Sequence, residues 1–257
     1  MSSVMTTKKI ALITGASRGL GRNMALHLAE RGVGIVGTYR TGHNEAEALQ
    51  REIEAKGGKA VMLRLDVADT ASFAAFAEAV SASLQDRFER ARFDHLINNA
   101  GIGLHAPFAD TTEAQFDALV DAHLRAPLFL TQRLLPLLED GGSILNMSTG
   151  FTRFTLPGYS VYAAVKAAVE VLTRYMTVEL GERRIRVNTI APGAIATDFM
   201  GGAVRDNEGV NAYVAQGIAL GRVGQPDDIG RAVAAILSSD LAWANGTSFD
   251  VSGGQLL

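Results

Sequence analysis

Cysteine is absent, which excludes a disulfide framework, a thiolate metal site and a cysteine nucleophile together. Nor is there an excess of positive charge, since 24 Lys and Arg stand against 27 Asp and Glu for a formal net charge of -3. With no basic tail or stripe, the chain carries no electrostatic footprint for nucleic acid as its main partner. No uninterrupted apolar run is long enough to cross a bilayer. The opening residues 1–9 are polar and lack the apolar stretch of a signal peptide. A cytoplasmic protein with no membrane partner is the expectation. Proline is scarce, at 6 residues, and no Pro/Ser-rich linker, internal repeat or low-complexity stretch divides the chain. The reading is one domain over residues 1–257.

What the chain does have is 47% hydrophobic residues in a length of 257, enough for one substantial core. Short apolar runs at 10–13, 34–38, 60–65, 93–98, 143–147, 185–190 and 247–251 read as strands. Longer stretches of helical period separate them. Leu20, Met24 and Leu28 form an i, i+4 row, and Asn44 stands where it would cap a second helix carrying Ala46, Leu49 and Ile53. Thr112 and Gln115 form a capping box for a helix running towards Leu138 with a bend at Pro127. A helix over 160–180 divides the fifth strand from the sixth, and Pro226 suits the first turn of a further helix. Parallel strands need crossover helices, so this alternation predicts an α/β fold. The expected form is a Rossmann-type, doubly wound, mainly parallel seven-stranded sheet with helices on both faces.

Two glycine patterns are decoys. Gly32-Val33-Gly34-Ile35-Val36-Gly37 fits G-x-G-x-x-G, but it follows a helix and enters a strand, the reverse of the phosphate-binding context. Gly15-Ala16-Ser17-Arg18-Gly19 fits the G-x-S-x-G nucleophile elbow. A hydrolase of that kind needs a late triad histidine, and the last histidine here is His123. The better reading of Gly15, Ser17, Arg18, Gly19, Leu20 and Gly21 is a phosphate-binding turn. Its glycines let the backbone approach a pyrophosphate, and the helix beginning near Leu20 offers free N–H groups and a positive dipole end. At the end of the second strand an acid would read the ribose hydroxyl of NAD, whereas arginine accommodates a 2′-phosphate. Thr38-Tyr39-Arg40-Thr41 has no acid, and Arg40 with Arg18 could close on a phosphate. The cofactor expected is NADP (NADPH).

Joined to Asn98-Asn99-Ala100-Gly101, Tyr162-Ala163-Ala164-Val165-Lys166 and Pro192-Gly193, this turn makes the chain resemble the short-chain dehydrogenase/reductase family. The likeness runs from about Lys9 to the C-terminus, with the motifs in the family's order and approximate spacing. The Thr-Gly-Ala-Ser-Arg-Gly opening and the final Val-Ser-Gly-Gly are similar to the 3-oxoacyl-carrier-protein reductase branch. The resemblance implies catalysis by Tyr162 and Lys166. Positions i and i+4 share a helical face, and an adjacent ammonium with the nicotinamide's positive charge would lower a phenol pKa that is ordinarily about 10. Lys166 would also hold the nicotinamide ribose. Two positions depart from the family pattern. The catalytic hydroxyl falls on Thr149, favoured here, with Ser148 beside it as the alternative. His123 stands where relatives have asparagine; it is read either as a holder of a relay water that titrates near neutral pH or as a satisfied helix histidine.

By the same correspondence Asp66 and Val67 lie by the adenine, and Asn98, Ala100 and Gly101 line the cofactor cleft. Asn188 is structural. Pro192, Gly193 and Ile195 pack beside the nicotinamide, and Thr197 reaches its carboxamide. The five histidines show no metal-ligand spacing, so no metal is expected. Residues 194–223 read as a substrate lid, with Gly201-Gly202 permitting movement. Ile102, Phe151, Phe154, Leu156 and Tyr159 imply an apolar, aromatic pocket, and Arg153 is either a contact for an acidic substrate group or a solvated charge. The expected activity is hydride transfer between NADPH and a small-molecule carbonyl or secondary alcohol, a 3-oxoacyl thioester or another ketone. The alternative is an NADP-binding regulatory protein. A homotetramer is what the resemblance implies.

Overall fold

The structure is a computed structural model that describes residues 9–257; residues 1–8, most of the polar lead-in noted above, lie outside the described residues. Seven parallel strands form one sheet in the order β3-β2-β1-β4-β5-β6-β7. They are β1 (Lys9–Ile13), β2 (Val33–Tyr39), β3 (Ala60–Arg64), β4 (Phe93–Asn98), β5 (Leu138–Met147), β6 (Arg186–Pro192) and β7 (Ser248–Val251). The strand order reverses between β1 and β4, which opens a crevice beyond their carboxyl ends.

Strand β1 shows why both faces are covered. Ala11 and Ile13 point into one apolar layer, with Met24 and Leu28 of α1 (Gly19–Glu30) and Ile229 and Val233 of α9 (Pro226–Ile236). Ile10 and Leu12 point into the other, with Val80 of α3 (Phe73–Ser83) and Leu130 and Leu134 of α5 (Ala126–Leu134). A period-two strand buried on both sides reads as a continuous apolar run.

Several expectations shift in detail. Helix α2 (His43–Ala55) begins one residue before Asn44 and has Gly42 at its N-cap. Strand β5 starts at Leu138, five residues earlier than its apolar run, because it continues across the Gly141-Gly142 turn. The capping box of Thr112 and Gln115 is present at the start of α4 (Glu113–Val120). The helix beyond it does not bend at Pro127. A π-helical turn, Asp121–Arg125, breaks it first, and Pro127 sits harmlessly in the first turn of α5. That turn carries His123. Gly32 and Gly37, the decoy pair, terminate α1 and pack under Met62 of β3 respectively.

Candidate active site

The cradle at the head of α1 follows from steric need. Gly15 and Gly19 have φ of +67° and +54°, a region that favours glycine. A Cβ on Gly21 would collide with the carbonyl oxygen of Gly15, and one on Gly15 would lie 3.1 Å from Cα of Ala100. The turn is also pinned from both sides. Gly15 N donates to Thr38 Oγ1 at 3.1 Å and Ala16 N to Thr38 O at 2.7 Å. Across the crevice Asn99 Nδ2 donates to Thr14 O at 2.8 Å, and Ala100 N to Thr14 Oγ1 at 2.9 Å. No side chain caps the N-terminus of α1, so its N–H groups are left for a ligand. A close-approach turn leading into an uncapped helix fits the pyrophosphate of a dinucleotide.

Arg40 directly follows the adjoining strand β2, exposed and without an ion pair among the described residues. Arg18, its partner in the sequence reading, meets Asp198 at 3.2 Å. Asp66 is exposed at the end of β3, accepting from Ala68 N at 3.0 Å, with Val67 half-buried beside it. Asn98 needs a correction. Its side chain does not line the cleft; it donates to Asn146 Oδ1 at 2.8 Å and Thr131 Oγ1 at 3.2 Å, holding β4 to β5. Asn188 likewise serves the sheet, through Ala244 O at 2.9 Å and Thr247 N at 3.0 Å. On the other side of the crevice, Pro192 ends β6 and Gly193 packs so closely on Ser252 that a Cβ would sit 2.8 Å from its Cα. Ile195 bridges to Gly224, and the buried Thr197 accepts from Phe199 N at 3.2 Å.

Helix α6 (Ser160–Glu179) brings the reacting groups to one face. Tyr162 and Lys166 are both buried, with Nζ 5.8 Å from the phenol ring centre. Lys166 donates to Met147 O at 2.7 Å. Thr149 stands by the Tyr162 phenol and acts to lower its pKa, whereas Ser148 turns to Glu170 and hydrogen-bonds its carboxylate. That arrangement separates the two hydroxyl candidates: Thr149 is at the phenol and Ser148 is engaged behind it. Glu170 escaped the sequence reading although its spacing could have found it, one turn beyond Lys166 on the same stripe. Its Oε1 also accepts from Thr152 at 3.2 Å and Ser248 at 3.5 Å, tying the loop after β5 to α6 and β7.

Burial governs the electrostatics of the protein's own groups here. It raises the Tyr162 phenol well above its ordinary value of 10, and Thr149 only partly offsets this. The ammonium expected to lower it is itself weakened, because burial brings Lys166 down to about 7. The phenol is therefore held in its acid form, the form a proton donor needs.

His123 does not titrate near neutrality. Burial first, then the Lys166 charge, push its imidazole well below its ordinary 6.5. Its Nε2 lies 2.7 Å from Ile102 O and its ring is edge-on to Tyr162 at 5.3 Å. Its buried Nδ1 has no partner among the described residues. Gly101 is required beside it, since a Cβ there would strike the imidazole. Arg153 is ion-paired with Asp250.

Phe151 extends the site outwards. It stands edge-on to Tyr162 at 6.3 Å and stacks on Tyr159 at 4.9 Å. Phe151 and Tyr159 wall a cavity of about 460 Å³ between the loop after β5 and the loop around His105. Phe199 approaches Tyr162 from the 194–223 segment, which holds two short helices, α7 (Ala203–Asp206) and α8 (Glu208–Gln216). Among the described residues no group of acidic or histidine side chains could hold a metal, and no helix is long and apolar enough to cross a membrane.

The family model described as Enoyl-(Acyl carrier protein) reductase matches residues 15–255. Hydroxynaphthalene reductase-like protein Arp2 of Metarhizium brunneum (strain ARSEF 3297) is 34% identical over 260 residues, covering 96% of this chain and 95% of its own. Among solved structures, the promiscuous reductase LugOII, which catalyses keto-reduction at C1 during lugdunomycin biosynthesis, superposes with a TM-score of 0.93 at 33% identity, over 98% of this chain and all of its own (100%). The angucycline C-6 ketoreductase LanV, solved with bound NADP, does so with a TM-score of 0.92 at 34% identity, over 98% and 96% of the two chains. With the dinucleotide cradle at the β1/β4 crevice and the Thr149, Tyr162 and Lys166 cluster beside it, this chain belongs to the short-chain dehydrogenase/reductase family, nicotinamide-dependent oxidoreductases that interconvert C=O and CH–OH.

Proposed function

We propose that the chain reduces a ketone carried on a planar, fused-ring aromatic substrate. The cofactor is NADP(H), in keeping with Arg40 just after β2 and with the NADP bound by the LanV relative. When bound, the dinucleotide supplies the hydride. The protein's own part is proton chemistry and orientation. Tyr162, kept as a neutral phenol by burial, gives its proton to the carbonyl oxygen. Thr149, beside that phenol, offers a second hydroxyl to the oxygen on which charge develops. Lys166, near 7, carries a proton in and out of the site around neutrality.

The observation that carries the substrate reading is the aromatic wall itself. Phe151 and Tyr159 are stacked with 29° between their planes and lie edge-on to Phe154 and His105 respectively, beside a cavity of about 460 Å³. Flat faces of this kind favour a flat ligand, since offset aromatic stacking adds about 0.5–1.5 kcal/mol beyond area burial. The pairing of Arg153 with Asp250 leaves that cation occupied and weighs against an acidic substrate tail. The relatives include a hydroxynaphthalene reductase-like protein and an angucycline C-6 ketoreductase, which supports this reading. A panel of fused-ring ketones and 3-oxoacyl thioesters, assayed with NADPH beside Tyr162→Phe, tests the reading. Fused-ring ketones should give the higher kcat/KM, and Tyr162→Phe should remove turnover while leaving NADPH binding intact. Faster turnover of the acyclic thioesters would overturn the substrate class; NADPH binding without turnover of anything would overturn the activity.

A further inference from the structure

We infer that the His105 imidazole recognises a phenolic hydroxyl on the substrate ring remote from the reacting carbonyl, an inference that rests on the fused-ring reading above. The cavity, which reaches α6 at Ala163 next to Tyr162, is largely apolar, with Phe108, Phe151, Phe154 and Leu156 among its lining residues. In such pockets a few polar groups set which way round the ligand lies. The titratable side chains on this wall are His105 and Tyr159. Tyr159 already stacks on Phe151, and burial raises its phenol further from ionisation.

The His105 ring is seated, not loose. It lies against Gly158, whose φ is +88°, and any Cβ there would occupy the place of the imidazole. The two loops are zipped beside it by Ala106 N donating to Gly158 O at 3.0 Å. The ring also packs edge-on to Tyr159 at 5.1 Å. Among the described residues nothing hydrogen-bonds its nitrogens, and the residue is exposed. With its Nε2 edge packed on Gly158, the imidazole keeps Nδ1 without a partner among the described residues, and one ring nitrogen can meet a hydroxyl as donor or as acceptor.

Position defines which hydroxyl. His105 ends a run of ring contacts that leads from Tyr162 to Phe151, on to Tyr159 and then to the imidazole. A ligand with its ketone at Tyr162 that extends along this run of rings would bring its far edge towards His105. The ligand class is a fused-ring ketone bearing a hydroxyl on its far ring.

The test compares α-tetralone with its analogue carrying a hydroxyl on the aromatic ring away from the carbonyl, both with NADPH. Wild type should favour the hydroxylated ketone in kcat/KM by about tenfold, the scale of one net hydrogen bond. His105→Phe keeps an aromatic ring and should bring the ratio to about one, while His105→Gln, which retains a donor and an acceptor, should keep a several-fold preference. The ratio cancels any general loss of pocket shape. If wild type reduces neither ketone, the fused-ring reading fails and this inference falls with it. If it reduces both without preference, or if His105→Phe leaves the ratio unchanged, this inference alone is overturned.

Discussion

Replacing Thr149 by valine removes one hydroxyl at almost constant shape, and the structure predicts a loss confined to catalysis. In the fold the hydroxyl stands by the Tyr162 phenol and accepts from Phe151 N at a long 3.4 Å. Losing so marginal a hydrogen bond costs about 1 kcal/mol of stability or less. In the reaction the same hydroxyl faces the oxygen on which charge develops, and removing one such donor lowers kcat by roughly 10²–10³, about 3–4 kcal/mol. Ser148→Ala is the matched control. It removes a hydroxyl one residue away, yet Glu170 keeps Thr152 at 3.2 Å and Ser248 at 3.5 Å. Its stability cost is again about 1 kcal/mol, but kcat should fall by no more than about threefold, because its hydroxyl is turned to α6. Steady-state loss of NADPH absorbance at saturating cofactor reads kcat, and thermal denaturation confirms that both variants are folded. A larger kcat loss in Ser148→Ala than in Thr149→Val would refute the assignment of the hydroxyl.

Two further outcomes follow from charge. Lys166 has a folded value of about 7 against an ordinary 10.5, so between those pH values the unfolded chain holds a proton that the fold does not. Stability from this group therefore rises with pH across that window, and its penalty is complete below about 7. Lys166→Met should stabilise the fold by on the order of 3 kcal/mol at pH 6, a gain that fades towards pH 10.5 while activity is lost; parallel denaturation curves for variant and wild type at both ends would contradict this. Arg40→Asp should shift the NADPH/NADH ratio of binding constants towards NADH by at least about tenfold, read by fluorescence titration, because it replaces a phosphate partner by a ribose partner. An unchanged ratio would remove Arg40 from the cofactor site.

The apolar runs of β1, β2 and β4 were legible because a parallel strand buried on both faces must be apolar throughout. The Gly15–Gly21 turn was legible for a related reason: only glycine tolerates its positive φ and the approach of Gly21 to the Gly15 carbonyl. The bend after α4 was misplaced to Pro127, since a π-helical turn around His123 leaves no composition signal. Asn98 was misread because strand position is visible in sequence but the direction of a polar side chain is not. The amide turned to Asn146 and Thr131 on neighbouring elements. Glu170 was overlooked because its partners, Ser148, Thr152 and Ser248, come from three places in the chain.

Local chemistry thus determined the alternation of strands and helices, the phosphate turn and the i, i+4 pairing of Tyr162 with Lys166, since each depends on neighbours within a few residues. Tertiary structure alone decided which hydroxyl meets the phenol, that Tyr162 is held as an acid and Lys166 near 7, and that Arg153 is bound to Asp250. Those outcomes are set by desolvation and by contacts between distant segments, and neither quantity exists until the chain is folded.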